Sequence, residues 1–133
     1  MRTAAKWLVI GYALMLIGVG LAGIVSARWE LGTMFGVHLD DVDSGAATIL
    51  NQYRFLKSVE LGCGIFCILF LEQILDGGRA AVAFLVVAVG AVVARCIALV
   101  FDGIPTWPFL AFLSVELLVL IVYVLHLWRR RHA

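Results

Sequence analysis

Residues 80–128 decide the fold. They read AAVAFLVVAVGAVVARCIALVF at 80–101, DGIPT at 102–106 and WPFLAFLSVELLVLIVYVLHLW at 107–128. A helix rising about 1.5 Å per residue needs about 20 mostly apolar residues to cross a hydrocarbon core of about 30 Å. Both runs meet that length, and each holds one charge, Arg95 or Glu116. Gly103 and Pro105 break the chain between them, so the two helices are predicted to fold back as antiparallel neighbours. Two further windows qualify. Trp7–Val25 has no charge, and Tyr53–Leu71 is apolar from Leu61 onward but carries Lys57 and Glu60 in its first half. Strand alternation is absent, and a chain in lipid must satisfy its backbone internally, which leaves helices.

Composition agrees. Of 133 residues, 64% are hydrophobic and 14% charged, with a mean hydropathy of +1.08. Soluble domains carry about 25% charged residues. A water-soluble globule, a disordered segment and a nucleic-acid binder are excluded. Three cysteines are too few for a secreted disulfide scaffold. The expected fold is all-α, one domain over 1–133, a four-helix transmembrane bundle with spans at about 7–25, 53–71, 80–101 and 107–128.

The connection at 72–79, with Asp76-Gly77-Gly78, is a short turn. Ser26–Gln52 is far longer, and loops of that length usually carry a role or structure of their own. Asp43-Ser44 can cap a helix that starts near Gly45 and runs into the second span. Arg2, Lys6, Arg79 and Arg129–Arg131 fall on one side of four spans, against Arg28, Glu30, Asp40, Asp41 and Asp43 on the other. The positive-inside rule puts both termini in the cytoplasm and the long acidic loop outside, with Trp7, Trp29, Trp107 and Trp128 at the interfaces. Val25-Ser26-Ala27 resembles a signal cleavage site, but the apolar stretch before it exceeds a signal core of about 7–15 residues.

Charges inside a span cost at least about 2.5–3.5 kcal/mol each at its centre, and they face the protein interior and pair. By helix rise, Glu60, Arg95 and Glu116 all fall roughly 9–14 Å below the outer boundary. Tyr53, Lys57 and Glu60 share one stripe of the second span, flanked by Arg54. Ala88, Ala91, Arg95, Ala98 and Asp102 share a face of the third. Phe109, Phe112, Glu116, Leu120 and Tyr123 line up on the fourth. The predicted arrangement is one polar cluster of Arg54, Lys57, Glu60, Arg95, Asp102 and Glu116, formally neutral, in the outer half of the bundle. Three readings suit it. The charges fix helix register. Or Arg54, Lys57 and Arg95 hold an anionic head group such as a phospholipid or fatty-acid carboxylate, with Tyr53, Phe112 and Tyr123 along its apolar body. Or the cluster serves proton- or ion-coupled transport.

Other signals point to packing. Cys63, Cys67 and Cys96 lack the CxxC redox spacing and read as small hydrophobes. His38, His126 and His132 are scattered, so neither a metal site nor any other cofactor is expected. His38 with Asp40, Asp41 and Asp43 reads as a solvated acidic loop rather than a cation site. Gly11, Gly18 and Ala22 on the first span, and Gly90, Ala94 and Ala98 on the third, suit close helix packing within or between chains. Gly18-x-Gly20-x-x-Gly23 lies inside a span with no strand before it, so it is not a dinucleotide fingerprint.

At Asn51-x-x-Arg54, Glu60, Arg95, Asp102-Gly103-x-Pro105 and Glu116 the chain resembles a family of small bacterial integral membrane proteins grouped as a domain of unknown function. The resemblance covers about Gly11 to Leu127. Its most specific part is the Arg-x6-Asp-Gly-x-Pro run followed by the glutamate. It implies four helices, recurrent polar residues at these positions and the bacterial inner membrane, and it implies no activity. The expectation is a multi-pass, non-enzymatic accessory subunit or interaction protein. Its partners would be the lipid bilayer, a bound lipid or amphiphile, a second copy or a larger membrane complex, and no nucleic acid.

Overall fold

A computed structural model describes residues 2–39 and 45–132. Six helices and no strand occur among the described residues. They are α1 (Arg2–Val25), α2 (Ala27–Phe35), α3 (Ala46–Leu69), α4 (Leu71–Leu75), α5 (Arg79–Phe101) and α6 (Trp107–Arg131). By length and composition α1, α5 and α6 can each cross a membrane. α5 is rich in valine, a weak helix former in water. Helix is nevertheless the form that hydrogen-bonds its whole backbone without solvent. α3 has 24 residues, enough to span, but Arg54, Lys57 and Glu60 crowd its middle turns. It therefore stands apart from the three apolar helices.

The described part of the long connection is largely helical. α2 occupies 27–35 and ends at Gly36, whose φ of 67° is open to glycine at little cost. α3 begins at Ala46, beside the Gly45 start expected from sequence. The capping pair Asp43-Ser44 and the acids Asp40 and Asp41 lie outside the described residues. The expected 72–79 turn also contains most of α4, and the turn itself narrows to 76–78, where Gly77 takes φ 76°. At the start of α6, Pro108 sits in the first turn, where its missing N–H costs nothing, and Arg129–Arg131 occupy the last turn, where their charge suits the helix dipole.

The chain divides into two units, Met1–Tyr12 with Phe66–Ala133, and Ala13–Ile65. In the first, Phe84 meets Tyr12 and Tyr123 edge-on, with ring centroids 6.4 and 4.9 Å apart. Ile74, Leu75 and Tyr123 are fully buried. The last carbonyls of α4 would be orphans in an apolar core. They are met by one stripe of α6. Tyr123 donates to the Ile74 carbonyl at 2.7 Å, His126 Nε2 lies 3.1 Å from that of Leu75, and Arg130 donates to the same oxygen at 3.0 Å.

In the second unit the backbones of α1 and α3 approach closely at glycines. A Cβ on Gly20 would lie 2.8 Å from the Lys57 carbonyl oxygen, and one on Gly64 2.7 Å from that of Ala13. A Cβ on Gly23 would collide with the methylenes of Lys57 and lie 2.7 Å from Glu30 Oε2. The glycines singled out from sequence, Gly11, Gly18 and Gly90, have nothing within 4 Å of such an atom. Within this unit the glycines of α1 that meet α3 closely are Gly20 and Gly23. Glycines fall on more than one face of this helix, and spacing alone does not say which face is covered.

Candidate functional site

The charges predicted to form one cluster fall into two sets, one in each unit. In the first unit, Arg95 on α5 reaches Glu116 on α6. Nε donates to Oε2 at 2.7 Å and Nη2 donates to Oε1 at 3.0 Å. This is the two-pronged geometry that a planar guanidinium favours. Phe109 and Phe112 flank it, each with its ring centroid 5.9 Å from Arg95 Cζ, a distance at which a cation is drawn to an aromatic face. The Glu116 side chain is 5% exposed and that of Arg95 28%. Tyr123 is spent on Ile74, and Asp102 lies exposed at the end of α5, its backbone N–H bonded to Ala98.

In the second unit Lys57 is the hub. Its Nζ lies 3.0 Å from Glu60 Oε2, 3.5 Å from Glu30 Oε1 and 5.2 Å from the centre of the Tyr53 ring. Lys57 and Glu30 are each 4% exposed. Two carboxylates thus surround one ammonium, a formal charge of −1 in a buried place. Two atoms complete the picture. Glu30 Oε2 and the Tyr53 hydroxyl are buried without a hydrogen-bond partner, although the hydroxyl lies beside the Glu30 carboxylate. Phe35 packs edge-on against Tyr53, with centroids 5.7 Å apart.

Arg54 stays outside this knot. Its Nε donates to the Ile24 carbonyl at 3.2 Å, closing the end of α1. Asn51 and Arg54, one turn apart, line an open cleft together with Arg28. Glu30 is the residue that sequence reasoning missed. It was counted with the outer acids, yet α2 buries it with Ala27 and Leu31. The spacing 27, 30, 31 was a legible signal of one covered helix face.

A third set of charges lies at the chain's basic end, in the first unit. Arg2 contacts Asp76 at 2.6 Å and Glu72 at 2.7 Å, and Arg130 contacts Asp76 at 2.6 Å. All four side chains are exposed. The guanidinium of Arg2 first, then that of Arg130, holds the Asp76 carboxyl below the ordinary carboxylate range. Among the described residues no group of three His, Cys, Asp or Glu gathers for a metal. Cys63, Cys67 and Cys96 form no disulfide among the described residues.

Long apolar helices with internally paired charges are consistent with a membrane protein. The family described as Domain of unknown function (DUF4345) matches residues 4–127, and the chain belongs to it. No curated protein and no solved structure matches the chain.

Proposed function

We propose that α1, α3, α5 and α6 cross the bacterial inner membrane as a four-helix bundle, with both termini cytoplasmic and α2 on the outer side. α3 is the most polar of the four by composition, and the burial of Lys57 supports its inclusion. The ammonium lies against Glu30 and Glu60 inside the protein, so this helix need not present it to lipid. The protein acts as a non-enzymatic accessory subunit or interaction partner. One observation carries this reading. The buried Lys57 and the part-buried Arg95 are each engaged by a carboxylate of another helix of their own unit, Glu30 of α2 and Glu116 of α6, so they serve to hold helices in register rather than to bind an anionic substrate.

Two measurements test it. Membrane-impermeant thiol labelling of single cysteines, with the native three replaced, should reach a probe at Thr106 from outside and a probe at Gly78 only from the cytoplasm. The opposite pattern overturns the topology. Native mass spectrometry after mild detergent extraction should find the chain with a second protein or a second copy. A bare monomer overturns the accessory reading.

A further inference from the structure

Arg95 has five N–H donors in a fixed fork, and Glu116 takes one from Nε and one from Nη2. Three remain. The side chain also lines a crevice of about 230 Å³ between α5 and α6, otherwise walled by apolar groups, among them Ala98, Leu99, Phe109, Leu110 and Leu113. Within a bilayer no bulk water reaches such donors, and a donor without an acceptor costs several kcal/mol. An acceptor is therefore needed. Its charge follows from the pair: Glu116 already neutralises Arg95, and a second anion would sit close to that carboxylate. A neutral acceptor meets the donors without this repulsion.

Size narrows the choice. Pockets that enclose a whole small ligand measure about 300–1,000 Å³, so this one admits a head carbonyl and part of one chain. Arg95 lies six residues before the end of α5, about 9 Å along the helix, and the crevice extends from it to Pro105 in the outer turn. We infer that the crevice binds the acyl ester of a lipid, its carbonyl on the free N–H groups of Arg95 and its chain along Leu99, Phe109 and Leu113. The inference rests on α5 and α6 lying in the bilayer, part of the reading above.

The test uses the full chain in nanodiscs and two photoactivatable probes, a diazirine-bearing palmitic acid methyl ester and the corresponding free acid. The ester should label peptides containing Leu99 and Phe109–Leu113, and the acid should label them less at neutral pH. Ala98→Phe fills the crevice from an exposed position and should cut ester labelling about tenfold. Ala94→Phe, one turn away, should leave it unchanged. Because single loss of either charge endangers folding, the charge-balanced pair Arg95→Met with Glu116→Met serves as the second variant. It should keep the chain contact and lose the preference for ester over acid. Stronger labelling by the acid, indifference to Ala98→Phe, or a preference that survives the double change would each overturn the site. Alkaline carbonate extraction of the membranes from which the chain is purified separates the two levels. Protein released by carbonate sinks the membrane reading itself, whereas retained protein without crevice labelling sinks only this inference.

Discussion

The two buried charge sets solve one problem with opposite arithmetic. Arg95 and Glu116 are one cation and one anion, closed by two parallel hydrogen bonds. Lys57 faces both Glu30 and Glu60, and one oxygen of Glu30 is left with no partner. The first pair is balanced, with the Arg95 side chain part-exposed. The second is unbalanced and deeper, and it is packed against Gly23 so closely that a Cβ there would force the Lys57 and Glu30 side chains to shift. Breaking a buried pair costs more than the pair contributes, because an uncompensated charge remains. The difference between the sets should therefore appear when single charges are removed.

The largest effect is expected at Lys57. Lys57→Met strands two carboxylates beside each other, one of them 4% exposed. The loss should reach or exceed the upper end of about 3–5 kcal/mol seen for broken buried pairs, comparable with the whole stability of many domains. Folded protein recovered in the membrane fraction should fall to background. Yields near wild type would show that Lys57 is not the hub. Arg95→Met should cost about 3–5 kcal/mol by thermal unfolding in detergent, since Glu116 is nearly covered. Adding Glu116→Met should restore most of that loss. A double variant no better than the single one would mean that the pair does more than cancel charge.

Glycines give the next contrast. Gly23→Ala should destabilise by about 1–3 kcal/mol through overpacking, because its Cβ would meet Lys57 and Glu30. Gly18→Ala meets open space and should be neutral or gain up to about 1 kcal/mol from helix propensity. Equal outcomes at the two positions would remove the close approach from the account. Glu30→Gln should be tolerated better than either charge removal above, since it leaves Lys57 and Glu60 as a one-to-one pair. A loss as large as that of Lys57→Met would show that both carboxylates are required.

How much of this was legible follows from chain distance and periodicity. Arg95 and Glu116 could be paired on paper, because two adjacent apolar runs of known polarity fix the depth of each residue. Three long helices followed from the same length argument. Glu30 was missed as a buried group, although the 27, 30, 31 spacing marks one covered helix face. It lies in a nine-residue helix within a connection whose other charges read as solvated. The stripe of Tyr123, His126 and Arg130 was equally hidden, since its purpose depends on where α4 ends. Within each unit, helix rise gives depth, while the partner each side chain reaches depends on rotation and, for Lys57, on α2.

The smallest effect concerns the exposed network at the basic end. Asp76 is held below the ordinary carboxylate range by Arg2 and then Arg130. A carboxyl depressed in the folded state adds stability that is fully present above its unfolded value, about 3.9. That increment is lost as pH falls through the lower folded value. Asp76→Asn should therefore remove a small increment at neutral pH and flatten the acid limb of the stability curve below about pH 4. The side chains are about half exposed, so salt should erase the difference between variant and wild type. A difference that persists in high salt, or an acid limb unchanged in Asp76→Asn, would mean that the Arg2–Asp76–Arg130 contacts contribute nothing electrostatic to the fold. The cations at this end would then act through topology alone.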